Sequence, residues 1–196
     1  RKLVDLILSK MEKYIDVIVP RGGKSLTERV GKDSKIPVLK HLDGICHIFL
    51  DASADPVKAE TITLNAKMRR TGVCGAAETV LVHKDAVDKV LARVIEGLLA
   101  NGCEVRGDAI TRELDGRVIE VSEEDWDTEY LAPIISIKVV DSLQDAIAHV
   151  SNHGSHHTDS IITEDNGSAE KFLKLVDSGI VLHNASTQFA DGGEFG

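Results

Sequence analysis

Short β-branched runs alternate with amphipathic stretches along almost the whole chain. That alternation limits the fold more than any single motif. Residues 15–19, 36–39, 45–50, 79–83, 104–107, 134–140, 161–163 and 180–182 read as strands. Residues 2–13, 26–30, 55–68, 85–100, 143–150 and 169–176 read as helices. Pro56 stands at the first turn of the third helix, Ser142 and Ser168 stand as N-caps, and Asn101-Gly102 is a stop signal. Strands that alternate with helices imply βαβ units and a mainly parallel sheet, so the fold class is α/β. Residues 108–128 are polar and acidic and read as surface. The expected domain boundary lies near Ser34 to Pro37.

A chain of 196 residues, 42% apolar and 28% charged, can bury a full core. Its net charge of -9 provides no basic field for nucleic acid, although a local basic pocket for an anionic small molecule is compatible with it. No apolar run reaches membrane-spanning length. Three cysteines, Cys46, Cys74 and Cys103, form no CxxC pair and point to a reducing compartment. The chain opens at Arg1 without an initiating Met and reads as cut from something longer.

Asn65-Ala66-Lys67-Met68-Arg69-Arg70-Thr71-Gly72-Val73-Cys74-Gly75 sets one thiol among glycines beside a basic cluster. Positive charge favours the thiolate, and glycine lets a substrate approach the backbone. A structural Cys in a tight turn is the bland alternative; the basic, glycine-bracketed setting favours a nucleophile. On a helix, Lys67 and Arg70 share a face and Arg69 does not, so at least one of the three faces solvent. The segment Arg21-Gly22-Gly23-Lys24-Ser25 sits between a strand and a helix, a layout that points backbone N–H groups at an anion. Its spacing is not that of a P-loop, and a simple αβ turn explains it equally well. His153, His156 and His157 lack ligand spacing for zinc and read as loop and strand-edge residues, with no metal. Cys46 and Cys103 sit in apolar runs and read as inert, and Cys46 and His47 should face opposite sides of a strand.

Several segments, taken in order, resemble the γ-glutamyl phosphate reductases, a branch of the aldehyde dehydrogenase superfamily. They include Tyr14-Ile15-Asp16-Val17-Ile18-Val19-Pro20-Arg21-Gly22-Gly23-Lys24-Ser25, His41-Leu42-Asp43-Gly44, Gly72-Val73-Cys74, Thr128-Glu129-Tyr130-Leu131-Ala132-Pro133 and Asn184-Ala185-Ser186-Thr187. The resemblance implies NADPH-dependent reduction of L-glutamate 5-phosphate to L-glutamate 5-semialdehyde, with phosphate release, in L-proline biosynthesis. It implies a catalytic Cys74 that forms a thioester, cofactor contacts from Arg21, Gly22, Gly23, Lys24, Ser25 and Glu129, and substrate contacts from Asn65, Lys67, Arg70, Asn184, Ser186 and Thr187. Many members carry Arg where this chain has Gln188. Hydrolytic aldehyde dehydrogenases carry a base-bearing glutamate-leucine-glycine-glycine segment where this chain has His41-Leu42-Asp43-Gly44. The resemblance further implies a cytoplasmic homo-oligomer whose substrate is supplied by glutamate 5-kinase. It divides the chain into the end of a Rossmann-like cofactor domain (1–35), a catalytic domain (36–183) and a glycine-rich active-site and oligomerisation tail (184–196). A cysteine hydrolase, or a catalytic piece without turnover of its own, are the competing readings.

Overall fold

The structure is a computed structural model that describes residues 2–22, 24–40 and 43–190. It divides into two compact units, residues 1–43 and 44–196. The first unit holds helices α1 (Lys2–Lys10) and α2 (Lys24–Asp33). Leu8, Val30 and Ile36 are buried within it, and Lys35 N donates to Leu8 O. The Arg29 guanidinium pairs with Asp5 across the two helices. Residues 15–19 and 36–39 do not form the expected strands: they meet at one parallel bridge, Ile18 with Val38. Among the described residues that bridge is the only ladder contact of either run, and two short strands alone gain too little to extend it. Helix α1 also ends three residues short of the expected 13, where Met11 O accepts from Tyr14 N and Ile15 N in a turn.

The second unit is a seven-stranded parallel sheet with helices on both faces. Its strands are β1 (Cys46–Leu50), β2 (Ala77–His83), β3 (Glu104–Gly107), β4 (Ile119–Glu120), β5 (Ile134–Val140), β6 (Thr158–Ile162) and β7 (Ile180–His183). They lie in the order β4-β3-β5-β2-β1-β6-β7. Period-two alternation sends Ile48, Leu50, Val80 and Val82 to the face covered by α3 (Pro56–Met68) and α4 (Ala92–Ala100). Phe49 and Leu81 go to the other face, under α6 (Leu143–His153) and α7 (Asn166–Leu175), where Phe49 stacks on Phe172. A strand buried on both faces is largely apolar, and β1 from Ile48 and β2 from Val80 to Val82 read that way, with His47, Glu78 and Thr79 as buried polar exceptions.

Asp55 caps α3 by accepting from Val57 N and Lys58 N, with Pro56 next in the chain. The expected helix 85–100 is continuous but not uniform: a 3-10 turn (Lys84–Ala86) and a π turn (Val87–Leu91) lead into α4. It stops where expected, with Gly102 at φ +78. Helix α7 starts earlier than expected and is capped by Asp165, not Ser168. Residues 108–128 are not merely surface. Asp108 caps α5 (Ala109–Leu114) and also accepts from Val139 N, while Asp125 and Trp126 are buried. Their acidic side chains satisfy backbone donors, a use that composition does not reveal.

Two buried titratable groups give the unit opposing pH dependences. Burial holds His149 down to about 2, and neighbouring His47, Lys138 and His153 act in the same direction. Its contribution to stability is complete above its ordinary 6.5 and is lost as pH falls below that. Burial pushes the Glu78 carboxyl up to about 7, against the pull of Lys67. That contribution is complete below its ordinary 4.5 and is lost as pH rises toward 7. Thermal melts of His149→Phe between pH 7 and 5 should therefore show a midpoint that rises on acidification, with the histidine slope removed. A midpoint that still falls as steeply as in the unmodified protein would contradict a neutral buried His149.

Candidate active site

All strands of the sheet are parallel, so the residues just before each strand gather at one edge. Cys74 precedes β2, Gly44 and Ile45 precede β1, Glu129 and Tyr130 precede β5, and His157 precedes β6. The three thiols differ in access. Cys46 and Cys103 are buried, and Cys74 is half-buried. Desolvation drives Cys46 well above its ordinary value and Cys103 up to about 12.

The Cys74 loop is held by its backbone. A Cβ on Gly44 would stand 2.0 Å from Cys74 O and 2.6 Å from Cys74 Cα, so only glycine fits there. Gly44 N donates to Glu129 Oε1 at 2.8 Å. The Cys46 thiol donates to Cys74 O at 3.1 Å, while His47, on the opposite face of β1 as expected, bonds Asp159. On the other side, a Cβ on Gly75 would stand 3.2 Å from Thr187 O. Gly72 has more room, with Leu131 O at 4.0 Å as its nearest contact.

Lys67 does not stand beside the thiol as a solvent-facing cation. It is fully buried, and its ammonium bonds Glu78 Oε2 at 2.5 Å and lies 5.7 Å from the Tyr130 ring centre. Helix α3 ends at Met68, so Arg70 is not carried on a helical face with Lys67 as expected. Arg69 and Arg70 are exposed, as is Asn65. Asn184 is not an open donor either: its Oδ1 accepts from Thr163 N and its Nδ2 donates to Thr163 O. Its backbone, at φ +52, is shaped to make that exchange. Ser186 Oγ accepts from Gln188 N, and Thr187 Oγ1 is buried without a hydrogen bond.

Gln188, which has no role in the sequence reading, lies against the loop. It is 3% exposed, and its Nε2 donates to Ala66 O at 2.8 Å and Arg70 O at 3.2 Å. Gly44 and Glu78 were also missed. A glycine after Asp43 signals a turn, and nothing local says that it abuts a backbone thirty residues away. A Glu–Lys pair separated by a whole loop has no sequence spacing to betray it.

In the first unit, Arg21, Gly22 and Ser25 are exposed at the start of α2. Gly23 and the side chain of Lys24 lie outside the described residues, as do His41 and Leu42 and residues 191–196 of the tail. The N-terminus of a ten-residue helix offers backbone N–H groups, which suits a phosphate. Glu129 has one oxygen engaged by Gly44, which leaves the other to accept from a hydroxyl.

His153, His156 and His157 are separately engaged: His153 with Asp127, His156 with Asp177 O and His157 with Thr158. Among the described residues no group of three or more His, Cys, Asp or Glu is placed to hold a metal, and no helix is long and apolar enough to cross a membrane. A cleft of about 370 Å³ opens at the opposite, carboxyl edge of the sheet, lined by Asp51, His83, Ser142, Asp165 and Lys171 among others. It shares no residue with the Cys74 loop.

Residues 118–196 match the aldehyde dehydrogenase family. The whole chain is 58% identical to the γ-glutamyl phosphate reductase of Bradyrhizobium diazoefficiens and covers 45% of that protein. Among solved structures, the γ-glutamyl phosphate reductase from Thermotoga maritima matches all of this chain with a TM-score of 0.93 at 42% identity, over 47% of its own length. The Saccharomyces cerevisiae protein of the same name matches 97% of the chain, with a TM-score of 0.62 at 35% identity, over 48% of its length. The chain thus spans about half the length of the relatives it matches.

Proposed function

We propose, for a chain that falls by sequence and fold among the γ-glutamyl phosphate reductases and their aldehyde dehydrogenase-like kin, that it carries the thiol centre of that reductase activity. The substrate is L-glutamate 5-phosphate, the product is L-glutamate 5-semialdehyde, and the setting is cytoplasmic L-proline biosynthesis. Glutamate 5-kinase supplies the acyl phosphate, and the complete enzyme is a homo-oligomer. Residues 1–43, eight residues longer than the expected 1–35, belong to the cofactor side, and the unit that runs from residue 44 carries the catalytic domain together with the start of the tail.

One observation carries this reading. Cys74 alone of the three thiols is not buried, and its loop is seated by backbone contacts that fix the sulfur's carrier without closing over it. The Cys74 thiolate attacks the acyl carbon. A carbon–sulfur bond forms, the carbon–oxygen bond to phosphate breaks, and phosphate leaves with the electron pair. NADPH, when bound, supplies a hydride to the thioester carbon. The resulting thiohemiacetal expels Cys74 as thiolate and releases the aldehyde. Arg21, Gly22, Gly23, Lys24 and Ser25 offer donors to the cofactor's phosphates, and Glu129 accepts from a ribose hydroxyl. The exposed Arg70 and Asn65 meet the anionic substrate, whereas Lys67 supports the loop from below through Glu78.

The test is chemical and local. Iodoacetamide should label Cys74 well before Cys46 or Cys103, as read by peptide mapping under native conditions. Acetyl phosphate, a simple acyl phosphate, should add an acetyl group at Cys74 that hydroxylamine removes, and Cys74→Ala should not acquire it. Prior labelling of Cys46 or Cys103, or an acetyl adduct that survives Cys74→Ala, would refute the assignment.

A further inference from the structure

We infer that Gln188 is a positioning residue for the Cys74 thiol, pinning the start of the loop that carries it to the end of α3. The inference rests on Cys74 being the acyl-accepting sulfur. The loop from Arg69 to Ala76 leaves the end of α3 and returns into β2. The carbonyls of a helix's last turn have no partner within the helix and need one from elsewhere. Gln188 supplies it for Ala66 O, and with its second N–H it reaches Arg70 O, already inside the loop. One primary amide thus ties the helix end and the loop start to the segment 186–188.

The same segment also meets the loop's far end. Thr187 O and Gln188 Cα lie 3.2 and 3.6 Å from where a Gly75 Cβ would be. The segment is itself anchored to the sheet, because Ser160 Oγ donates to Ala185 O at 2.7 Å and Asn184 exchanges two bonds with Thr163. Cys74 therefore sits between two fixed walls, Gly44 with Cys46 on one side and 187–188 on the other. Gln188 is the side chain seen to join the second wall to the loop's first half. Its amide is an obligate two-donor group at a buried site, a role that neither a carboxylate nor a thioether can fill.

The chain as it stands serves for the test, with three readings taken on Gln188→Met and Gln188→Glu. Both variants keep the length of the side chain and remove the donors. In Gln188→Met, amide hydrogen exchange across residues 69–76 should quicken about tenfold, because the loop opens at the cost of roughly one fewer net hydrogen bond. Acetylation of Cys74 by acetyl phosphate should slow by about the same factor or more, since a reacting atom misplaced by about 1 Å forfeits much of its rate. In Gln188→Glu both effects should appear at neutral pH and shrink on acidification, measured as ratios to the unmodified chain at each pH. A protonated carboxyl regains one donor, whereas Met cannot.

A loop held merely by bulk would show no acid recovery in Gln188→Glu, and that result overturns the inference. Unchanged exchange in Gln188→Met overturns it too, as does faster exchange with unchanged Cys74 acetylation. Failure of the unmodified chain to acetylate Cys74 overturns the assignment of the thiol itself and the positioning role with it, and is recognised without any variant.

Discussion

Lys67→Met should destabilise the second unit by about 3–5 kcal/mol in urea unfolding, the largest loss expected from any side-chain truncation near the site. Lys67 and Glu78 are both fully buried and bonded to each other at 2.5 Å. Removing the ammonium leaves a carboxylate under the sheet with one oxygen already without a partner. Burial, with a smaller push from Glu129, already raises that carboxyl to about 7 against the pull of the lysine. Without Lys67 it should be forced further toward the neutral form, so the loss should be smaller at pH 5 than at pH 8. Met matches the aliphatic stem of lysine and limits the cavity. The double variant Lys67→Met with Glu78→Leu should recover most of the loss, because a buried pair replaced as a pair by apolar residues is often neutral. If the single and double variants are equally unstable, packing rather than uncompensated charge explains the effect.

This pair also marks how far the sequence could be read. The alternation of strands and helices foretold an α/β unit, and the second unit has that form from Cys46 to His183 because each of its strands finds partners. The same β-branched signal at 15–19 and 36–39 produced one bridge, since ladder formation depends on neighbours that residue type cannot report. A thiol set among glycines is legible as a candidate nucleophile, and Cys74 is the one of the three thiols that is not buried. Its support was not legible. Lys67 carries the same charge whether it meets a substrate or Glu78, and only burial distinguishes the two. Asn184 looked like an open donor, yet both ends of its amide serve Thr163. The glycines beside Cys74 were read as room for a substrate, and a glycine's packing against a distant backbone is a separate matter that residue type does not report. Gly72 has no close neighbour, Gly75 touches Thr187, and the tightest contact belongs to Gly44.

Gly44→Ala should therefore silence Cys74 while leaving the sheet folded. The added methyl would lie 2.0 Å from Cys74 O and 2.6 Å from both Cys74 C and Cα. These are backbone atoms, so no rotamer change relieves the clash, and ordinary contact requires a displacement of more than about 1 Å in a close-packed region. Two segments can move. The 43–46 segment is held by Gly44 N on Glu129 and by the start of β1 in the middle of the sheet. The 72–76 loop is held by the turn from Ala76 N to Val73 O and by the Cys46 thiol on Cys74 O, and is the softer of the two. The loop should yield, breaking the bond from the Cys46 thiol to Cys74 O. A nucleophile displaced by about that distance should lose on the order of a hundredfold in its rate of attack on an acyl phosphate. Gly75→Ala, with a methyl 3.2 Å from Thr187 O, should lose less, and Gly72→Ala, with 4.0 Å of room, should behave almost as the unmodified chain. Acetylation rates at Cys74, taken alongside far-ultraviolet circular dichroism, measure the series. If Gly44→Ala acetylates as fast as Gly72→Ala with its fold intact, the backbone seat of Cys74 does not set the position of the sulfur.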